Sequence, residues 1–258
     1  RDRKHSVKFA FGFGARKKIW EAFERRFGIP ILEAWSLVEG VGMTINTIGS
    51  KGGKVGSVGR PVRGFELKIL DPKGKELLPG RNNIGEIVIR TKLPFDLEYY
   101  NLPKEKTTNI RKNRWVHTDD FGYKDKDGFI YFLGRHTDMI QKRGEAFFAI
   151  DIEMVANSHP LIVESAVFEV SNEESPSKAI KICAAIKDGA TITHAELSNY
   201  LYQNMAYFMV PQFIEFKKEL PKNDIGLIQK FFLKKEWENK HSRKNTYDTL
   251  TKNFVVID

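Results

Sequence analysis

A single cysteine, Cys183, stands in the 258 residues, so neither a disulfide framework nor a cysteine-based metal site can be built. Cys183 lies in the alternating stretch KAIKICAAIK, where it is expected to pack in a core rather than react. The six histidines include no pair at zinc-ligand spacing. No apolar run approaches the roughly 20 residues of a membrane-spanning helix. The opening RDRKHSVKFAFGFG lacks the apolar core and cleavage pattern of a signal peptide, and a cytoplasmic protein is expected. Neither a P-loop nor a dinucleotide-binding glycine fingerprint occurs, and the glycine-rich segment 49–59 fits neither spacing. Internal repeats and low-complexity segments are lacking too.

What is present is the composition of a soluble globular chain, 41% hydrophobic and 29% charged, long enough for one large domain or two ordinary ones. Forty-two Lys and Arg against 33 Asp and Glu give a formal charge of +9. That excess favours anionic partners: nucleotides, acyl-CoA, nucleic acid or an acidic membrane surface. The basic residues are interspersed with acids, as on an ordinary basic surface. No motif puts a helix or an aromatic platform on bases, so nucleic acid is not an expected partner.

Residues 15–27, ARKKIWEAFERRF, place Ile19, Trp20, Phe23 and Phe27 at helical spacing, and Gly28 with Pro30 stops the helix. The strand IPILEAW follows. Eight glycines between 40 and 64 predict loop. FELKILD and IGEIVIR read as two strands joined by the turn-rich PKGKELLPGRNN, suited to a hairpin or barrel edge, and KDKDGFIYFLG reads as a turn with strands. After Gly134 the pattern changes. From residue 150 helices alternate with strands: DIEMVANSH, IVESAVFEV, KAIKICAAI, HAELSNYLYQNMAYF, PQFIEFKK and IQKFFLKKEWENK. This predicts a small α/β sandwich, a sheet on one side and helices covering it. The segment GRHTDMIQKRG, residues 134–144, reads as the join between two domains. Residues 1–134 start abruptly in a charged stretch that runs into VKFAFGF, as the later part of something larger would.

Three constellations carry candidate chemistry. In AWSLVEG, residues 34–40, Trp35 could stack a base and Glu39 could hold Mg²⁺ near phosphates; the alternative is a core tryptophan and a solvated glutamate. In RWVHTDDFG, residues 114–122, Asp119 and Asp120 beside His117 could bind metal or ribose hydroxyls, or form an ordinary acidic turn. In GRHTDMIQKRGEAFFAIDIE, the donor fork of Arg135 suits ribose or phosphate oxygens and KRG suits a second anion; a polar interdomain linker is the plainer reading.

Taken in order, these segments resemble the adenylate-forming enzymes, the superfamily of acyl-CoA synthetases, peptide-synthetase adenylation domains and luciferases. The resemblance runs colinearly from about residue 8 to residue 235. Through WVHTDDFGYKDKDGFIYF, MIQKRGE and QNMAYFMVPQFIEFKKELPKN it is most similar to the crotonobetaine/carnitine-CoA ligases. It implies mixed α/β and α+β architecture: residues 1–134 as the C-terminal part of the large AMP-binding domain with its barrel-like subdomain, and 135–258 as a small mobile lid. The implied reaction joins a small or medium carboxylic acid to CoA through an acyl-adenylate, using ATP and Mg²⁺. The family's phosphate loop lies earlier than the equivalent of Arg1, so this chain is expected to be inactive alone. Surface left by a missing half-domain would favour self-association, making a homo-oligomer possible.

The resemblance also implies roles. Trp35 takes the place of the adenine-stacking aromatic and Glu39 that of the Mg²⁺-associated glutamate, while Val38 replaces a usual threonine. Asp120 matches the ribose-binding aspartate, with Asp119 where glycine is usual, and Arg135 matches an arginine that also contacts ribose. Thr137 occupies the hinge position, normally aspartate or lysine. Lys142, Arg143, Gly144 and Glu145 match a loop lining the CoA side. In ELPKNDIGLIQK, residues 219–230, the family's catalytic lysine should follow Gly226, and Leu227 stands there instead. Its structural alternative is a hydrophobic face shared with Ile228, Phe231 and Phe232. Lys222 and Lys230 flank the position without obviously replacing the lysine. A homologue that binds AMP, acyl-AMP or CoA without efficient adenylation is the competing expectation.

Overall fold

The computed structural model describes residues 2–15, 17–39, 42–47, 53–92, 99–101, 103, 111–112, 114–172, 175–224 and 226–255. Its two compact units are Arg1–His136 and Thr137–Asp258.

In the first unit, β1 (Ala10–Phe13) precedes α1 (Lys17–Phe27), and β2 (Ile31–Ser36) returns parallel to β1. Trp20 anchors α1 by burial and donates its indole N–H to Glu24 Oε1 at 2.7 Å. The same oxygen accepts Ile31 N at 2.9 Å, tying the helix to the start of β2. Ile19, expected on the packed face, is exposed, as are Phe11 and Phe13 on β1.

The glycine-rich region is not all loop. It contains β3 (Met43–Ile45) and β4 (Arg60–Pro61), which extend the sheet in the order β1-β2-β3-β4. Buried side chains make this possible by satisfying the backbone around the strands. Thr44 Oγ1 donates to Val58 O at 2.6 Å, and Asn46 Nδ2 donates to Lys54 O and Ser57 O at 2.6 and 2.8 Å.

A second, antiparallel sheet contains β5 (Phe65–Leu70), β6 (Gly85–Thr91), β7 (Arg111–Lys112), β8 (Trp115–Lys124) and β9 (Ile130–Arg135). Its order is β5-β6-β8-β7, with β9 pairing β8. Leu67 and Ile69 lie opposite Ile89 and Ile87 and bury with Val116 and Ile130 around Trp35. Main-chain bonds between residues 58–59 and Ile130 connect the glycine-rich segment to β9.

The second unit opens with the hairpin β10 (Met139–Lys142) and β11 (Glu145–Phe148). Its two turn residues, Arg143 and Gly144, have φ of 54° and 85°. Two successive positive values define the hairpin turn whose twist matches the flanking strands, and glycine takes the second without Cβ strain. There follow α2 (Ala149–Ala156), β12 (Ile162–Asn172), β13 (Ser175–Ile186), α3 (His194–Asn204), β14 (Phe213–Lys217), α4 (Lys230–Glu238), β15 (Thr246–Asp248) and β16 (Asn253–Phe254). The last five strands form one sheet in sequence order, with only β13 and β14 parallel.

Both faces of this sheet are covered, which corrects the two-layer expectation. Val167, Ile180, Ile182 and Ile214 pack with Ile152 of α2 and Leu197 and Leu201 of α3. Ala166, Phe168, Cys183 and Phe213 pack with Leu233 and Trp237 of α4. Alternate residues of β12 and β13 feed opposite faces, so the short stretches Ala166–Phe168 and Ile182–Ile186, apolar at successive positions, record burial on both. Cys183 is in this core as expected, and burial pushes its thiol up to about 12. Buried Lys181 crosses the same layer to Glu215 Oε2 at 2.6 Å, compensating two charges that would be costly alone.

Candidate functional site

The strongest site geometry lies at an irregularity in β8. Glu86 pairs with Phe121 and Val88 with His117, so Thr118, Asp119 and Asp120 lie opposite Ile87 alone. Such extra residues bend a strand and re-aim its side chains. Asp119 takes φ of 57°, a left-handed conformation that aspartate tolerates better than most non-glycine residues. The Glu86 carboxylate receives His117 Nδ1 at 2.7 Å and Asp119 N at 3.3 Å, while Thr118 Oγ1 donates to Ile87 O at 2.6 Å and accepts Asp120 N at 3.0 Å. These bonds hold the bulge. The next residue but one, Gly122, is closely approached: a Cβ there would meet Tyr131 O at 2.3 Å.

The bulge separates the two adjacent carboxylates. Asp119 is exposed, whereas Asp120 is only 5% exposed. Trp35 Nε1 donates to Asp120 Oδ2 at 2.7 Å. Asp120 Oδ1 is buried without a hydrogen-bond partner among the described residues, and Arg135 Nε lies 3.5 Å from it. Burial pushes the Asp120 carboxyl up from its ordinary value, against the downward pull of the indole bond and Arg135; Asp119 and Glu39 add to the rise. A buried acceptor left open costs about 1–3 kcal/mol. An external donor reaching Oδ1 would recover that cost.

Trp35 itself is 7% exposed and sits within the apolar cluster of β5, β6, β8 and β9. This is the packing of a core tryptophan, with its polar edge committed to Asp120. Val38 is exposed. Glu39 is half-buried, and its Oε1 accepts Tyr99 Oη at 2.6 Å; burial first and then the Glu39 bond push the tyrosine hydroxyl up to about 12. Among the described residues no three His, Cys, Asp or Glu side chains cluster as a metal site. A cation at Glu39 would therefore take most of its oxygens from a ligand, a pattern normal for Mg²⁺ on nucleotide phosphates.

In the second unit, Thr137 is exposed in a short 3-10 turn, His136–Asp138, at the boundary between units. Lys142 is half-buried at the hairpin's end, and burial and then Arg143 lower its pKa. The Arg143 guanidinium lies 5.3 Å from the Tyr207 ring centroid, and its Nη1 donates to Tyr207 Oη at 3.3 Å. Gly144 and Glu145 are exposed beside it. The KRG hairpin thus presents a cationic and aromatic tip.

Leu227 is 61% exposed, with Phe231 and Phe232 exposed nearby. That corrects the view of a packed face for Leu227, Phe231 and Phe232; of the four residues Ile228 alone packs against the core, beside Leu233 and Trp237 of α4. Asn223 holds the loop, accepting Leu227 N on Oδ1 at 2.8 Å and Gly226 N on its carbonyl at 2.9 Å. Gly226 has φ of 81°, a turn conformation open to glycine. The flanking lysines are engaged: Lys222 Nζ lies 2.7 Å from Glu164, and Lys230 Nζ lies 3.1 Å from Asp138 and 2.8 Å from Glu153.

Sequence reasoning missed the supporting residues Glu86, Thr118, Tyr99, Tyr207 and Asn223. Glu86, Tyr99 and Tyr207 belong to segments brought alongside by strand register or loop closure, whereas Thr118 directly precedes Asp119 in the motif itself. Asn223, four residues before Leu227, carries a local signal: asparagine ahead of a turn glycine.

Residues 2–96 match the AMP-binding enzyme family, and residues 151–227 match the AMP-binding enzyme C-terminal domain. The chain belongs to these adenylate-forming enzymes. It is 34% identical over 242 residues to the crotonobetaine/carnitine–CoA ligase of Citrobacter koseri, covering 90% of this chain and 45% of that protein. The corresponding ligase of Proteus mirabilis is 34% identical over 215 residues, covering 81% and 40%. ATP-bound MatB from Rhodopseudomonas palustris matches with a TM-score of 0.77 and 26% identity over 90% of this chain and 46% of that one. The anthranilate CoA ligase AuaEII with anthranoyl-AMP matches at 0.74 and 26%, over 90% and 44%. The chain spans about half the length of these relatives. No helix among the described residues is long and apolar enough to cross a membrane.

Proposed function

We propose that the full-length protein is an AMP-forming acid:CoA ligase, of the crotonobetaine/carnitine type, in which this chain supplies the ribose-binding carboxylate and the mobile lid. The observation that carries the reading is the open Oδ1 of Asp120, buried on a side-chain-braced bulge with Arg135 beside it. Ribose hydroxyls are donors of the required kind, and a bond to a charged acceptor is worth about 1.5–3 kcal/mol. In the first half-reaction a carboxylate oxygen of the acid bonds to the α-phosphorus of ATP, and pyrophosphate leaves. In the second, the CoA thiolate bonds to the acyl carbon, and AMP leaves. Glu39 would hold Mg²⁺, which offsets phosphate charge when bound. The lid would turn about Thr137 between half-reactions, bringing Lys142, Arg143, Gly144 and Glu145 to the CoA side. The names of the ligase relatives support this substrate class, and a need for ATP and CoA supports a cytoplasmic setting.

Asp120→Ala tests the reading in this chain. Calorimetric titration with AMP should show affinity falling about 10- to 100-fold, equivalent to about 1.5–3 kcal/mol. Unchanged affinity with an intact circular dichroism spectrum would refute it. A second reading, a half-reaction homologue slow at adenylation, is favoured by exposed Leu227 between two ion-paired lysines.

A further inference from the structure

We infer that Trp35 is a positioning residue for nucleotide binding: its indole N–H holds one oxygen of Asp120 so that the other stays open to ligand hydroxyls beside Arg135. The inference rests on the ribose reading of Asp120 and assigns Trp35 work done by its nitrogen rather than its ring face. The bond is 2.7 Å long and joins two residues that are each more than nine-tenths buried, one on β2 and one on the bulge of β8. It occupies Oδ2 and leaves Oδ1, itself buried, without a hydrogen bond among the described residues. Arg135 Nε, at 3.5 Å, attracts Oδ1 without bonding to it.

Indole chemistry makes the arrangement selective. Its nitrogen donates one hydrogen bond and accepts none. It therefore favours the ionised carboxylate, the form with both oxygens free to accept, and opposes the rise that burial imposes. The other charges facing Asp120 are Arg135 on β9, Asp119 beside it and Glu39 on the segment after β2. Of these only Arg135 also favours the ionised form, and its side chain is exposed. A base-stacking role would instead require an uncovered ring, and Trp35 is packed among the residues of its core cluster.

Trp35→Phe keeps an aromatic ring and removes the N–H. In this chain, AMP and 2′,3′-dideoxy-AMP are titrated against both proteins from pH 5 to 8. Wild type should prefer AMP. In the variant, AMP affinity at neutral pH should fall roughly tenfold, the loss of one bond to a charged group, and its acid limb should shift to higher pH. The dideoxy nucleotide, which has no hydroxyls for Asp120, should lose little. An equal loss for both nucleotides, with an unmoved pH limb, overturns the Trp35 inference while leaving the ribose reading intact. Equal wild-type affinity for both nucleotides overturns the ribose reading and the inference with it. If the variant fails to fold, the wild-type indole N–H resonance decides the matter. It should titrate with the Asp120 carboxyl carbon, and independent midpoints would overturn the inference.

Discussion

Leu227→Lys should raise the rate of adenylation by the full-length protein by at least about tenfold, equivalent to about 1.4 kcal/mol of transition-state stabilisation. A lysine there would carry a cation to a loop apex that now has none. The magnitude is bounded below by one ammonium offsetting charge as the acid attacks α-phosphorus. It is bounded above by the 10²–10³-fold typical of a single well-placed donor in an enclosed site. Little stability should be lost, because Leu227 is 61% exposed and surface substitutions usually change stability by within about 0.5 kcal/mol. The loop should keep its shape, since Asn223 holds the backbone rather than the Leu227 side chain. Neither neighbour is free to substitute: Lys222 would have to leave Glu164, and Lys230 would have to leave both Asp138 and Glu153. Pyrophosphate release measures the first half-reaction, and CoA thioester formation from supplied acyl-AMP measures the second, which should stay unchanged. Ordinary synthetase rates in wild type, with no gain in the lysine variant, would refute the reasoning and show that another group already supplies the charge.

Glu39→Gln in the full-length protein should lower Mg²⁺-dependent turnover about tenfold or more while leaving Mg²⁺-free AMP binding nearly unchanged; equal losses with and without Mg²⁺ would count against a metal role. The same change should bring the Tyr99 hydroxyl down only part of the way from about 12, because burial is the larger cause of its rise, and ultraviolet titration of the phenolate reads this directly. His194 packs against Phe216, Tyr247 and Phe254, its Nε2 is buried without a hydrogen-bond partner among the described residues, and burial lowers its pKa below the ordinary value of about 6.5. Its contribution to stability should be complete above about pH 6.5 and decline on acidification until the folded pKa is passed, because the unfolded chain takes up the proton first. Urea midpoints from pH 8 to 5 should therefore slope less in His194→Phe than in wild type, and parallel slopes would exclude the effect.

The elements were legible wherever periodicity and a stop signal coincided, as in α1 before Gly28 and in the apolar alternation of β13. That alternation did not reveal how many layers cover the sheet. The stretch KAIKICAAI specifies apolar residues on both faces, but α4, which covers Cys183, comes from a segment about fifty residues later. The site was legible as residue types and only partly as geometry. WVHTDDFG marks two carboxylates before a glycine. Their separation into a buried and an exposed group depends on a bulge braced by Glu86, whose partners are fixed by strand register.

Leu227 illustrates the remaining gap and its functional consequence. Helical spacing groups Phe231 with Leu227, yet spacing identifies residues that share a face without showing whether anything covers it. In α4 the covered stripe is Leu233 and Trp237. Among the described residues no core contact requires leucine at 227, and the loop's hydrogen bonds there involve its backbone. The fold thus tolerates either residue at that apex. The difference between leucine and lysine falls on charge delivered to the reaction rather than on stability, which is why rate and thermal midpoint should separate in the Leu227→Lys experiment.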